Sequence, residues 1–237
     1  MEMSGTLAVV TGATEGIGRA IAFRVGQAGA TVAICARTEA RVRETVQALK
    51  DAGVDAVGKR CDVSDPADVD AFAAFVAAER GAARVVINNA GIGRFRPIEE
   101  LSLEDWDATM GVNVRSLFLV TRAFLPGIKR AGGGTVVNIA SLAGRNGVEG
   151  GTAYCASKHA VLGFSKALML EVRKHNVRVV AVCPGSVATP FMDKQERLRP
   201  NRDRVLTADD VAHAVLATLT IGERAMVSEL DLRPTNP

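Results

Sequence analysis

Leu7-Ala8-Val9-Val10-Thr11-Gly12-Ala13-Thr14-Glu15-Gly16-Ile17-Gly18 is the stretch that decides the fold. The apolar run Leu7–Thr11 reads as a buried strand, and the amphipathic stretch from Ile17 to Ala28 as a helix that starts at once. A strand that turns through glycines into a helix brings free backbone N–H groups and the positive end of the helix dipole to one point. A pyrophosphate can bind there. The spacing is Gly-x-x-x-Gly-x-Gly, and a merely tight turn could produce it. Its place between a first strand and a first helix gives it weight. Gly12, Thr14, Gly16, Ile17 and Gly18 are the candidate contacts on this loop.

The same alternation continues along the chain. Strands are expected at Thr31–Ala36, Ala56–Arg60, Arg84–Asn88, Thr135–Ala140, Val177–Cys183 and near Met226–Leu232. Helices are expected at Glu39–Ala52, Pro66–Arg80, Leu103–Val112, Ser116–Lys129, Thr152–His175 and Ala208–Leu219, with Ser64 or Asp65 capping the one that opens on Pro66. Strands separated by helices of this length imply βαβ units: an α/β chain with a Rossmann-type, doubly wound parallel sheet flanked by helices. No linker, repeat or low-complexity stretch divides it, so residues 1–237 read as a single dinucleotide-binding and catalytic domain. The polar, Arg-rich segment 186–207 is a candidate substrate lid.

Composition narrows the function classes. A net charge of +3 on 237 residues gives no reason to invoke nucleic acid or an anionic membrane. Local basic clusters at Lys129–Arg130, Arg173–Lys174 and Arg197–Arg204 read first as solvated surface. Cys35, Cys61, Cys155 and Cys183 form no Cys-x-x-Cys pair and no metal-ligand spacing, so no metal site is expected and the thiols read as reduced. Met1–Gly5 runs directly into the first strand and no apolar run is long enough to span a bilayer, which reads as a cytoplasmic protein.

The second strand ends Ile34-Cys35-Ala36-Arg37-Thr38. An acid at that strand end would hold a ribose 2′-hydroxyl, whereas an arginine accommodates a 2′-phosphate through two parallel hydrogen bonds. Arg37 and Thr38 therefore point to NADP(H). The alternative is that Arg37 is ordinary surface and Glu39 takes the ribose. Asp62-Val63, after the third strand, could accept from an adenine amino group. Asn88-Asn89-Ala90-Gly91, after the fourth, lets the chain pass beside the cofactor while the Asn side chains bond across strand ends or simply stabilise the loop.

Tyr154 and Lys158 stand four residues apart on the long helix, on one face. A phenol is a poor base at neutral pH, and a nearby ammonium is expected to lower its pKa toward the working range. Tyr-x-x-x-Lys alone is common. Here Tyr154 is the chain's one tyrosine, and Ser141 sits just past the fifth strand, where ligands of open α/β sheets bind. Asn113, in Met110-Gly111-Val112-Asn113-Val114, is unfavourable inside a helix. It marks either a kink that frees a carbonyl for a proton-relay water or a simple helix boundary. Leu142, Ala143, Gly147, Val148, Gly151 and Phe191 suggest a small, apolar substrate pocket.

These residues resemble the short-chain dehydrogenase/reductase family over essentially the whole chain. The matching motifs are Thr11-Gly12-x-x-x-Gly16-x-Gly18, Asn88-Asn89-Ala90-Gly91, Asn113, Ser141, Tyr154-x-x-x-Lys158 and Pro184-Gly185 with Thr189. The resemblance implies seven strands in the order 3-2-1-4-5-6-7 and a catalytic tetrad of Asn113, Ser141, Tyr154 and Lys158. Lys158 would also hold the nicotinamide ribose, Ile17 and Val187 would touch the nicotinamide, and Thr189 its carboxamide. It implies a homodimer or homotetramer packed through Ser116–Lys129 and Thr152–His175. Glu15 departs from many NADP(H) members, which carry a basic residue at that place. The general look is similar to 3-oxoacyl-[acyl-carrier-protein] reductases, whose acidic carrier the pairs Lys129–Arg130 and Arg173–Lys174 could meet. The expected reaction is NADPH-dependent reduction of a ketone, with a 3-oxoacyl thioester among the candidates. The alternatives are an NAD-linked alcohol or sugar dehydrogenase and a non-catalytic NADP(H)-binding regulator.

Overall fold

The structure, a computed structural model, describes residues 3–193 and 202–235. Seven strands form one parallel sheet: β1 (Leu7–Thr11), β2 (Thr31–Ala36), β3 (Ala56–Arg60), β4 (Val85–Asn88), β5 (Gly134–Ile139), β6 (Val177–Pro184) and β7 (Glu229–Leu232), in the order β3-β2-β1-β4-β5-β6-β7. β1, β4 and β5 are buried along their whole length. Their near-continuous apolar runs are what a sheet covered on both faces requires.

Helices α1 (Gly16–Gln27), α2 (Glu39–Asp51), α3 (Pro66–Arg80), α4 (Leu103–Met110), α5 (Ser116–Arg130), α6 (Thr152–Val172), α7 (Pro190–Asp193) and α8 (Ala208–Thr220) complete the chain. One core layer packs Ile21, Val25 and Leu219 against the sheet, and the other packs Phe72, Phe124 and Ile128. Caps fix the helix starts. The Asp65 side chain accepts from Ala67 N and Asp68 N before Pro66, and Thr207 and Asp210 form a capping box on α8.

Four details differ from the sequence reading. The break expected near Asn113 is a π-helical turn, Gly111–Arg115, that joins α4 to α5 without interruption. The long helix ends at Val172 and closes with a 3-10 turn over Arg173–His175. The last strand starts at Glu229, not Met226, and it is anchored from the side: Arg145 reaches Glu229 at 2.5 Å and Asp231 at 2.7 Å. The segment read as irregular carries α7, and Val187 bridges to Leu206. Residues 194–201 of the candidate lid lie outside the described residues.

The order of strands reverses between β1 and β4. Crevices at that switch point open at the carboxyl ends of the strands. The glycine loop, Arg37, Asp62, Asn89 and Ser141 all follow the carboxyl ends of their strands.

Candidate active site

A cleft of about 1060 Å³ runs along the carboxyl edge. At one end lie Gly12, Thr14, Gly16, Ile17, Arg37, Thr38, Asp62, Val63, Asn89, Ala90 and Gly91. At the other are Ser141, Tyr154, Lys158, Pro184, Gly185, Val187 and Thr189. The topology thus joins Gly12 and Thr189, 177 positions apart, in one wall.

The glycine loop is held by its neighbours. Gly12 has φ +64°, and a Cβ there would come within 2.8 Å of Ala90 Cα. Thr11 Oγ1 accepts from the backbone N–H groups of Asn89 and Ala90, both at 3.1 Å, while Asn89 Nδ2 donates to the carbonyls of Thr11 and Gly12 at 2.9 and 3.0 Å. Gly18 is not on the cleft wall. A Cβ there would lie 2.2 Å from Asn89 Nδ2, so its smallness serves this packing.

Charges in this half are sorted. Glu15 is engaged by Arg41 at 3.0 Å, a cleft residue the sequence reading did not single out, although it lies one helical turn beyond Arg37. Glu39 turns to Arg43 at 3.0 Å and is not among the cleft residues. Arg37 is exposed on the wall, with no ion-pair partner among the described residues. Asp62 Oδ1 accepts from Ser64 N and Oγ at 2.9 and 2.7 Å. Those bonds, with the charges of Arg37 and Arg60, outweigh the effect of burial and hold its carboxyl below the usual range.

In the other half, Lys158 is buried and donates from Nζ to the Ile139 carbonyl at 2.8 Å. Burial brings its ammonium down to about 8. Asn113 is buried behind the wall: its Nδ2 donates to Ile92 O at 2.8 Å and Ser157 Oγ at 2.9 Å, and its Oδ1 accepts from Ile92 N at 2.8 Å. Asn113 and Lys158 meet around Gly91, where a Cβ would lie 3.3 Å from Asn113 Oδ1 and 3.6 Å from Lys158 Nζ. The π turn presents Asn113 to this seam.

Tyr154 stands between Phe95 and Phe191, with ring centroids 5.2 and 5.8 Å away. Burial pushes its phenol up to about 12, against the pull of a hydrogen bond with Ser141. This reverses the expectation that Lys158 lowers it. The ammonium lies 5.7 Å from the ring centroid and is committed to Ile139. Ser141 Oγ accepts from Ala143 N at 3.1 Å, which fixes the hydroxyl at the strand end.

Of the residues read as pocket lining, Leu142, Ala143, Val148 and Phe191 are on the wall, while Gly147 and Gly151 are not. Phe95 does line the cleft and had no signal in the sequence beyond its place after Gly93. A Cβ on Gly93 would meet Phe95 at 2.7 Å and Phe191 at 2.8 Å, so this glycine lets the two rings converge on Tyr154.

A family model described as short chain dehydrogenase matches residues 6–199. The chain belongs to the short-chain dehydrogenase/reductase family. As a member it is 43% identical over 187 residues to a candidate ketoacyl reductase of Streptomyces coelicolor, covering 78% of this chain and 72% of that one. It is 38% identical over 240 residues to D-threitol dehydrogenase of Mycolicibacterium smegmatis, covering 97% and 91%. It also superposes on a crystal structure of a single-site variant of actinorhodin polyketide ketoreductase with NADPH at a TM-score of 0.91, with 34% identity and coverage of 99% and 97%. The seven-stranded order expected for the family is the one observed.

Proposed function

We propose that this short-chain dehydrogenase/reductase reduces a ketone to a secondary alcohol with NADPH, a 3-oxoacyl thioester being the first substrate to try. The observation that carries the reading is Tyr154. It lies in the cleft beside the Ser141 hydroxyl, and a phenol carries its proton at neutral pH. That is the protonation state a carbonyl oxygen needs in order to become a hydroxyl. NADPH would supply the hydride. Ser141 would hold the substrate oxygen, Tyr154 would give it the proton, and Lys158, with Asn113 positioning it, would steady the ribose side.

The cofactor preference rests on this chain's residues. Arg37 faces the cleft with its guanidinium available to a 2′-phosphate, Arg41 occupies the Glu15 carboxylate, and Glu39, the residue that would favour NAD, turns away. The actinorhodin ketoreductase structure with NADPH supports the same choice.

D-threitol dehydrogenase among the relatives keeps the oxidative direction as a second reading. Consumption of NADPH and of NADH, measured in parallel with acetoacetyl-coenzyme A, separates them. Turnover with NADPH alone is expected. Preference for NADH would overturn the role of Arg37, and NADPH binding without turnover would leave the cofactor claim standing and send the substrate search to small ketones, sugars and alcohols.

We also propose that α5 and α6 bear the contacts of a homodimer or homotetramer, since they carry the exposed Phe118 and Leu170. The basic pairs Lys129–Arg130 and Arg173–Lys174 lie where these helices end, next to the starts of β5 and β6. That is the edge opposite the cleft, a strand length or roughly 20 Å away. They are therefore not at this protomer's cleft mouth.

A further inference from the structure

The cleft wall is charged unevenly. Its carboxylates among the described residues, Glu15 and Asp62, both belong to the glycine-loop half, and both are engaged, by Arg41 and Ser64. Around Tyr154 the wall has no carboxylate among the described residues, yet three arginines rim it: Arg94, Arg204 and Arg233. Arg94 is paired with Asp105 at 3.1 Å. Arg204 and Arg233 are exposed and have no acidic partner among the described residues.

The backbone brings Arg233 close to the reacting end. Leu232 pairs with Pro184 in the β6–β7 ladder and accepts from Gly185 N at 2.9 Å. A Cβ added at Gly185 would lie 3.2 Å from Leu142 and 3.5 Å from Pro234. Ser141 Oγ is 3.5 Å from the Pro184 carbonyl. Arg233 is therefore the next residue outward from the turn that lines the Ser141 pocket. Arg204 is also on the cleft wall, two residues before Leu206, whose N–H donates to Ser186 O at 3.1 Å. Phe95 and Phe191 flank the Tyr154 ring, and Leu142, Pro184 and Val187 add apolar surface to the same wall. A low-dielectric wall strengthens a charged hydrogen bond at its edge.

We propose that the ketone carries an anionic oxygen group, received by Arg233 with Arg204 as a second cation on the cleft wall. The proposal rests on the ketone-reduction reading above and narrows its substrate class. A guanidinium offers a fork of N–H donors that a carboxylate or a phosphate accepts in parallel. Two sources share that chemistry: the carboxylate of a keto acid, and the phosphate on a pantetheine arm that carries a 3-oxoacyl thioester.

Two matched pairs of probes, offered to the NADPH-loaded protein at low salt, test it. One pair is acetoacetate and ethyl acetoacetate; the other is acetoacetyl-phosphopantetheine and acetoacetyl-pantetheine. In at least one pair the anion is expected to win in kcat/KM by about 10- to 100-fold, and the winning pair names the source. Arg233→Ala removes most of that advantage and Arg233→Lys part of it. Arg224→Ala, the same change of charge outside the cleft, keeps it. Turnover with no preference in either pair, or a preference that Arg233→Ala leaves intact, overturns the proposal while ketone reduction stands. Should no ketone be reduced, the reaction reading fails, and titrations of NADPH fluorescence with 3-hydroxybutyrate against its methyl ester, and with phosphopantetheine against pantetheine, decide the anion site. Tighter binding of the anion in either pair, lost in Arg233→Ala, upholds it. No preference for the anion in both pairs overturns it.

Discussion

The glycine loop at one end of the cleft is built from backbone and small residues, and the half around Tyr154 from side chains. In the first, the loop between β1 and α1 is locked by Thr11 and Asn89, and a methyl group added at Gly12 or Gly18 meets other atoms within 3 Å. In the second, Ser141, Tyr154, Phe95, Phe191 and Arg233 arrive from five separate stretches of chain and meet only because the sheet stacks them. A backbone site binds what every such fold binds. A side-chain site can be re-lined without disturbing the fold, so substrate choice is expected there.

The sharpest way to break this contrast is Tyr154→Phe. Turnover should fall by about 10²- to 10⁴-fold, the range of a positioned proton donor, while NADPH affinity measured by fluorescence stays within a few-fold. Parallel loss of binding would mean that the two halves are not separable. Arg37→Ala should act in the opposite sense. NADPH affinity drops by about 10- to 100-fold, as for a lost charged hydrogen bond, and NADH affinity barely changes. Equal loss for both cofactors would remove Arg37 as the selector.

The pH dependence sharpens the side-chain half. Burial holds Lys158 near 8, well below the ordinary lysine value, and Tyr154 near 12. As pH rises, Lys158 loses its charge first. The kcat/KM for reduction should be level up to about pH 8 and then fall with a slope approaching one, while Tyr154 remains protonated. A level profile to about pH 10 would detach Lys158 from the reaction. The sign for stability is opposite. Between about 8 and the unfolded lysine value near 10.4, the unfolded chain binds more protons, so this residue makes the fold more stable as pH rises. The smallest effect is expected at Arg145, which pins β7 from outside the cleft. Arg145→Ala should lower stability by about 0.5–1 kcal/mol in a denaturant titration, because its ion pairs are partly exposed.

The contrast also explains what could be read in advance. The strand–glycine–helix opening, the alternation that follows it, the cap at Asp65 and the positions of Tyr154 and Lys158 are local facts, written in residues that neighbour one another in sequence. Periodicity and glycine spacing carry them because the forces behind them act over one turn of helix or one strand. The helix boundaries shifted by a few residues. The break expected at Asn113 became a π turn, because the Asn side chain is held by Ile92 and Ser157, 21 and 44 positions away.

By itself, then, the sequence determined the parallel sheet, its switch-point cleft and the family of chemistry, since buried strands and a glycine-bounded helix start leave few other ways to fold. Only the tertiary structure decided that Glu15 is occupied by Arg41, that Glu39 faces away, that Phe95 and Phe191 converge on Tyr154 through Gly93, and that Arg233 comes to the Ser141 pocket. It also decided the direction of the Tyr154 pKa. A Tyr-x-x-x-Lys spacing specifies that two groups share a helix face, whereas the balance between burial and a neighbouring charge depends on what every other element packs around them.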